Sequence, residues 1–83
     1  MEYYVYILES SVDGSFYVGQ TQNVEKRLEI HNKGYGKYTK TRRPWKLIFH
    51  VQLTSRSEAI KLERKLKSWK KREAILKFIA EQR

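Results

Sequence analysis

The spacing of apolar and polar residues along this chain predicts three β-strands. Two segments rich in tyrosine and valine, residues 3–9 and 15–20, flank the pair Asp13-Gly14. This pair favours a two-residue hairpin turn of type I′, because both residues tolerate positive φ. Residues 45–53 carry apolar side chains at every second position, as a half-buried strand does. We therefore expect a hairpin followed later in the chain by a third strand.

Three other segments have helical spacing and helix-capping residues. Asn23 is a good N-cap for the first, and glycines follow its predicted end. Ser55 and Glu58 have the spacing of a capping box ahead of the second. The segment between the first helix and the third strand, residues 33–44, is predicted to be a mobile basic loop. The predicted helices cover residues 24 to about 32, 56 to about 67 and about 70 to 81.

These elements predict an α+β fold, with a small three-stranded, mainly antiparallel sheet flanked by three helices. The 83 residues are expected to form a single domain, residues 1–83, that buries only about 60% of its unfolded surface. The longest apolar run, residues 3–8, is too short to span a membrane, and no basic leader precedes it. We expect a cytoplasmic protein without membrane association.

The net charge of +9 is distributed unevenly along the chain. Residues 1–32 carry a net charge of −3, whereas residues 33–83 carry +12. The most basic part also contains Tyr35, Tyr38 and Trp45, whose rings are of the kind that stack on bases. A surface that only keeps a small protein in solution needs no such mixture. We therefore expect a polyanionic partner, of which nucleic acid is the commonest.

Four residues of the first hairpin and first helix form a candidate site. Tyr6 and Tyr17 fall on paired strands near the middle of the predicted sheet, where each phenol needs a hydrogen-bond partner. Arg27 and His31 are one helical turn apart, on the flank that faces the sheet edge near the tyrosines. Taken singly, Arg27 fits a role in covering apolar surface as well as it fits a functional role. His31, taken singly, fits a partly buried, hydrogen-bonded structural role better than a functional one. Together the four residues favour a site.

Glu63 lies within the apolar stripe of the second predicted helix, between Ala59 and Leu66. Carboxylates are seldom buried unless they are paired or bind a metal. A ligand for Mg²⁺ is one interpretation, since this ion prefers oxygen donors. The other is a salt bridge, for which the candidate partners are Arg27, Arg64 and Lys67.

These residues resemble the motifs of the GIY-YIG nuclease superfamily, and above all its small single-domain bacterial members related to the N-terminal domain of the excision-repair incision subunit. The first motif corresponds to Tyr4-Val5-Tyr6 and the second to Tyr17-Val18-Gly19. Arg27, His31 and Glu63 match the family's arginine, its helix-borne histidine or tyrosine, and its metal-binding glutamate. Three departures are visible: Tyr4 replaces the first glycine, Gln20 stands where some relatives have lysine, and no asparagine follows Asn32.

The resemblance implies an endonuclease that hydrolyses DNA phosphodiester bonds and acts in DNA repair. It implies one divalent ion, Mg²⁺ or Mn²⁺, held by Glu63 as the only protein ligand. Tyr17 would accept the proton of the attacking water, directly or by relay, with Tyr6 hydrogen-bonded nearby. Arg27 would stabilise charge on the phosphate, and His31 would orient water or phosphate.

Basic and aromatic residues of the second half are expected to contact the nucleic acid, with DNA preferred to RNA. Contacts mainly to phosphates predict salt-sensitive binding with little base specificity. A non-catalytic DNA- or RNA-binding module with the same fold is the alternative, and recruitment by a protein partner or a homodimer stays open. The expected contacts are Lys37, Tyr38, Lys40, Arg42, Arg43, Lys70 and Lys71.

Overall fold

The computed structural model describes residues 2–69 and 71–82, and it contains the predicted strands and helices together with one further helix. The α+β class and the three-stranded antiparallel sheet are confirmed. None of the helices within the described ranges is long and apolar enough to cross a membrane. The elements are β1 (Tyr3–Ser10), β2 (Phe16–Thr21), α1 (Val24–Lys33), α2 (Lys37–Lys40), β3 (Trp45–Leu53), α3 (Arg56–Ser68) and α4 (Arg72–Glu81).

The sheet has the strand order β2-β1-β3, so β1 is central and is buried on both faces. Val5 and Ile7 belong to the main core, which α3 and α4 cover with apolar side chains. Tyr6 and Leu8 point to the opposite face, in a smaller apolar cluster that packs against α1. The alternation of side chains along one strand therefore separates a purely apolar core from a face that carries phenols.

The pairing of β1 with β2 brings the two predicted tyrosines to the same face of the sheet. Tyr6 pairs with Gly19 and Leu8 pairs with Tyr17, so the tyrosines are diagonal neighbours. Gly19 is the residue that allows this packing, because a Cβ there would lie 2.5 Å from the Tyr6 hydroxyl oxygen.

The hairpin turn differs from the predicted type I′. Gly14 has a φ of 74°, but no non-glycine residue in the described ranges has positive φ, and this includes Asp13. The loop is instead wider and is closed by a hydrogen bond from Ser10 N–H to Ser15 O of 2.9 Å. The Asp13 carboxylate accepts hydrogen bonds from the backbone and hydroxyl of Ser15, so its side chain stabilises the turn without a left-handed backbone at Asp13.

The segment predicted to be a mobile loop contains α2, so residues 2–69 and 71–82 form four helices instead of the predicted three. This single turn begins after Gly36, whose carbonyl accepts a hydrogen bond from Lys40 N–H of 2.9 Å. Periodicity could not predict it, because four residues provide no repeating apolar stripe. A buried contact holds it in place, since Thr39 is 1% exposed and its carbonyl accepts from the indole N–H of Trp45.

Side-chain caps fix the ends of α1 and α3 as predicted. Asn23 Oδ1 accepts from the backbone of Lys26 at 3.0 Å, and Gly34 ends α1 with a φ of 86°. Ser55 Oγ accepts from Glu58 N–H at 3.2 Å, which is half of the predicted capping box. The Glu58 carboxylate accepts from the Thr54 hydroxyl.

Substitution of Gly19 by alanine is predicted to destabilise the protein through the face that carries Tyr6. The added methyl would lie 2.5 Å from the hydroxyl oxygen and 2.7 Å from Cζ of Tyr6. We expect Gly19→Ala to lower the free energy of unfolding by about 1–3 kcal/mol, as overpacking of a core does. Each kcal/mol corresponds to a fall of about 4–8 °C in the melting temperature of a domain of this size.

The matched measurement repeats Gly19→Ala in a Tyr6→Phe background, where the nearest atom is absent but Cζ remains. The cost of the substitution should be smaller there than in the wild-type protein. An equal cost in both backgrounds would show that Tyr6 is not the residue displaced.

Candidate active site

The structure brings Tyr6, Tyr17, Arg27 and His31 together where β1 and β2 face α1. The rings of Tyr6 and Tyr17 have centroids 6.3 Å apart, and the His31 ring lies 4.7 Å from that of Tyr17. The structural interpretation of His31, a partly buried and hydrogen-bonded histidine, holds for its hydrogen bonds, but the residue is more deeply buried than expected, at 3% exposed. The helix directs it inward because the strands leave room beside the phenols.

A buried chain of hydrogen bonds runs from β1 through α1 to α2. The Tyr6 hydroxyl lies 3.0 Å from His31 Nε2, and His31 Nδ1 lies 3.2 Å from Thr39 Oγ1. The Thr39 hydroxyl donates to the Gly36 carbonyl at 3.5 Å, so it accepts a hydrogen bond from Nδ1, which carries the imidazole proton. Nε2 therefore accepts a hydrogen bond from the Tyr6 hydroxyl. Burial raises the pKa of Tyr6, so its hydroxyl keeps the proton that it donates.

Burial also decides the charge of His31. It lowers the pKa of the imidazole below its usual range, and the nearby Arg27 charge adds to this effect. His31 is therefore neutral at pH 7, which its role as acceptor from Tyr6 requires. The imidazole supports the phenol and does not itself add positive charge.

Arg27 is the cation of this site. The pKa of its guanidinium is raised, first by the polar contact with the Tyr6 hydroxyl and further by Tyr17, so the side chain lies beside both phenols. Arg27 Nε is buried, and no group in the described part of the chain accepts a hydrogen bond from it. Such a donor costs about 1–3 kcal/mol when it stays unsatisfied. An anionic oxygen placed against the guanidinium would offset that cost.

Glu63 reaches the same site from α3. Its charge contributes to the raised pKa of Tyr6, after the larger effect of burial. Its side chain is 17% exposed and forms an ion pair with Lys67 Nζ at 3.3 Å. Lys67 is one of the three partners predicted for this carboxylate. The second oxygen accepts a hydrogen bond from Gln20 Nε2 on β2 at 3.2 Å.

The chemistry of these donors fits one divalent ion with few protein ligands. No group of three or more histidine, cysteine or acidic side chains that could hold a metal occurs in residues 2–69 and 71–82. Mg²⁺ binds proteins through one or two carboxylates and keeps several waters, so Glu63 alone satisfies its minimum. The Glu63 carboxylate is partly exposed, and Gln20 holds one of its oxygens by a hydrogen bond. The other oxygen faces solvent and Lys67.

The helix α2 places part of the basic segment next to this site. The exposed ring of Tyr38 lies 6.0 Å from that of Tyr17, and Lys37 and Lys40 flank it. Trp45, by contrast, is 3% exposed, so the expectation that it stacks on bases is wrong. Its indole is needed for the contact with α2.

The other predicted contacts are partly engaged within the protein. Arg42 lies 4.4 Å over the Tyr38 ring and pairs with Asp13 at 3.3 Å. Arg43 is exposed and its guanidinium lies against Gly34. Lys71 is exposed at the start of α4, whereas the predicted Lys70 lies outside the described residues.

Three residues of the site were not identified from the sequence as parts of it. Thr39 is the far end of the hydrogen-bond chain, and nothing in its local pattern distinguishes it from a surface threonine. Gln20 was noted only as a departure from a pattern, and Lys67 only as one of several possible ion-pair partners. Gln20 directly follows Gly19, and Lys67 lies one helical turn after Glu63. These positions are the signals in the sequence that could have identified the two residues.

The amino-acid sequence is similar to those of known proteins over nearly the whole chain. Residues 2–76 match the family model of the GIY-YIG catalytic domain. The chain is 46% identical over 81 residues to a UPF0213 protein of Staphylococcus haemolyticus and 42% identical over 81 residues to one of Staphylococcus saprophyticus. Both alignments cover 96% of this chain and 96% of the relative.

A solved structure is similar as well. The solution NMR structure of a UPF0213 protein from Bacillus halodurans superposes with a TM-score of 0.62 at 36% sequence identity. The alignment covers 96% of this chain and 84% of that protein. The order of strands and helices is therefore shared over nearly the whole chain.

The neutral state of His31 predicts a pH dependence of stability. Its pKa is lowered in the folded protein, so the unfolded chain takes up the proton first as the pH falls below about 6.5. The stability that depends on neutral His31 is complete above that value and decreases toward the folded pKa. We expect the melting temperature of the wild type to fall more steeply between pH 7 and pH 5 than that of His31→Gln.

Thermal melts across this range test the prediction, with His50→Gln as the matched control. His50 is exposed on β3, so its removal should leave the wild-type slope unchanged. Parallel curves for wild type and His31→Gln would contradict the assignment of a neutral buried imidazole.

Proposed function

Since this chain belongs to the GIY-YIG nuclease superfamily, we propose that it is a divalent-metal-dependent endonuclease that hydrolyses DNA phosphodiester bonds. One observation carries the proposal: the Arg27 guanidinium lies beside two phenols, with a donor that lacks an acceptor in the described ranges, and Glu63 lies close enough to Tyr6 to contribute to its raised pKa. A domain that only binds phosphates has no need of a carboxylate near its phosphate site, because the carboxylate and the phosphate repel each other.

Arg27 is proposed to hold the scissile phosphate. Its guanidinium provides charge-assisted hydrogen bonds to non-bridging oxygens, which gain negative charge in the transition state. The phenols and the helix α1 fix the side chain before substrate binds, so little reorganisation accompanies the reaction.

Tyr17 is proposed to accept the proton of the attacking water. A phenol is a poor base at neutral pH unless cations stabilise its anion, and Arg27 lies beside Tyr17. Tyr6 is less suited to this role, because burial and the Glu63 charge disfavour its anion and its proton is donated to His31. Tyr6, supported by His31, is instead proposed to hold Arg27 in place, since both ring nitrogens of the buried His31 are engaged by Tyr6 and Thr39.

Glu63 is proposed to hold a single Mg²⁺ or Mn²⁺, with Gln20 keeping the carboxylate in position. When bound, the ion supplies positive charge to the phosphate and to the departing 3′ oxygen. Lys67 must leave the carboxylate, or share it, when the ion binds.

The substrate is proposed to lie across the exposed residues of α2 and the start of α4, with Arg43 beside them. These side chains make phosphate contacts, so binding should weaken strongly as salt is raised. We also propose a role for the protein in cytoplasmic DNA repair, because its motifs resemble the incision subunit of excision repair.

A non-catalytic DNA- or RNA-binding module is the second candidate. The ion pair between Lys67 and Glu63 favours it, since an occupied carboxylate needs no metal. The absence of an asparagine after Asn32 is a further departure from several nucleases of the superfamily.

Nicking of supercoiled plasmid and of branched DNA in Mg²⁺ or Mn²⁺ separates the two candidates. We expect Glu63→Gln to reduce the rate on the order of 100-fold or more, because the ion loses its ligand. Glu58→Gln, which changes an exposed carboxylate on the same helix, should retain the wild-type rate. Equal rates for wild type and Glu63→Gln would contradict the metal role, and DNA binding without cleavage by either would favour the second candidate.

The proton acceptor is tested by removing one hydroxyl at a time. Tyr17→Phe is expected to lower the nicking rate by roughly 10²–10⁴-fold, the range for loss of a general base. Tyr6→Phe should cost less in rate but should lower the melting temperature, because His31 Nε2 loses its buried donor. If Tyr17→Phe nicks DNA as fast as the wild type, Tyr17 is not the base.

A further inference from the structure

A groove of about 850 Å³ runs from the candidate active site along the outer side of the hairpin to the junction of α3 and α4. Tyr17 and Tyr38 line the end that opens on the active site. Trp69, the residue that ends α3, lines the other part. The groove therefore begins at Tyr17, the proposed proton acceptor, and leads away from it.

The lining combines flat rings with positive charge. Lys67, Lys71 and Arg72 lie along it together with the aromatic side chains. The one acidic residue among its described lining, Asp13, is already paired with Arg42. A polymer with anionic groups and flat faces complements such a surface, whereas an acidic peptide would leave the rings without partners.

Not every ring of the groove is available for stacking. The Arg72 guanidinium covers Phe16, with its carbon 4.5 Å from the ring centroid, and the same guanidinium bonds to Glu9 and to the Gly14 carbonyl. Trp69 is half-buried and packs edge-on against Phe78, with centroids 5.9 Å apart, and the Lys65 ammonium group lies 5.7 Å from the centroid of the Trp69 ring. This packing holds the indole in place while part of it lines the groove.

We propose that the groove binds an unpaired nucleotide of the substrate strand, with its base stacked on Trp69 and its phosphate near Lys67 and Lys71. Bases within a duplex have both faces covered by their neighbours, so only an unpaired or extruded base can stack on a side chain. The inference rests on the proposed function for the position of the phosphate. It extends that function to a substrate class, nucleic acid with an unpaired segment beside the scissile bond.

Lys67 connects this groove to the active site. Its Nζ is paired with Glu63 at 3.3 Å, and its side chain is 52% exposed and lines the groove. A phosphate in the groove competes with Glu63 for this ammonium group. Binding of an unpaired nucleotide therefore helps to release the carboxylate that is proposed to hold the metal.

Binding measured without divalent ions isolates the groove from catalysis. Wild-type protein in EDTA is titrated with a fluorescent oligothymidylate of about 12 nucleotides and, separately, with a duplex of the same length. Trp69→Leu is expected to weaken single-strand binding about tenfold, the range for loss of one stacked base, and to leave duplex binding unchanged. Trp69→Phe, which keeps a flat ring, should retain most of the single-strand affinity.

Two further measurements keep the test decisive if Trp69→Leu does not fold, as judged by circular dichroism. Oligothymidylate should quench the tryptophan emission of the wild type, whereas the duplex should not, because Trp45 is buried. Lys71→Gln should weaken single-strand binding several-fold relative to Lys77→Gln, since both lysines are exposed but only Lys71 lines the groove.

Unchanged single-strand affinity in a folded Trp69→Leu overturns the inference, and so does an equal loss on single strand and duplex. Where the variant does not fold, the absence of quenching or equal affinities of Lys71→Gln and Lys77→Gln overturn it. Plasmid nicking reports on the proposed function separately. If the protein binds single strands through Trp69 but does not nick DNA, the groove inference stands and the proposed nuclease function fails. If it nicks DNA but Trp69→Leu does not change single-strand binding, the proposed function stands and the groove inference fails.

Discussion

The buried hydrogen bond from Tyr6 to His31 is the interaction on which the rest of the site depends. It joins the central strand to α1, and through Thr39 it extends to α2. Gly19 makes it possible, since any side chain on the paired strand would occupy the volume of the phenol. A buried phenol without an acceptor would cost about 1–3 kcal/mol, and a neutral imidazole close to the hydroxyl provides that acceptor here.

Side chains of the central strand β1 point alternately to the two faces of the sheet, so the core and the candidate active site lie on opposite faces. One face is apolar and packs on α3 and α4, whereas the other carries the phenols, the imidazole and the guanidinium. Glu63 crosses this division, because α3 contributes Ala59 and Leu66 to the core and the carboxylate to the site. Gln20 on the edge strand holds it there. The charged side chains of the site, Arg27 and Glu63, are thus held by helices that pack on opposite faces of the sheet.

The uneven charge of the chain is partly neutralised within the fold. Arg42 and Arg72 pair with Asp13 and Glu9, the acidic residues of the hairpin. These pairs tie the basic half to the acidic half and leave the lysines of α2 and the start of α4 exposed beside the active site. Each of these ion pairs already contributes zero to the net charge of +9, so the pairing determines where the unpaired cations lie and not how many there are.

Periodicity and capping residues in the sequence determined the α+β class, all three strands and the approximate ends of the three longer helices, because these depend on local backbone preferences and on burial of one face. Motif spacing selected Tyr6, Tyr17, Arg27 and Glu63. The tertiary structure alone decided the rest. The wide hairpin loop, the extra turn α2 and the burial of Trp45 depend on contacts between elements. Ser10 Oγ donates to the Arg42 carbonyl 32 positions away, Ser11 N–H donates to the Pro44 carbonyl, and the Trp45 indole on β3 donates to Thr39 on α2. The same holds for the partners Thr39, Gln20 and Lys67, since a hydrogen bond across 43 positions leaves no periodic trace in the chain.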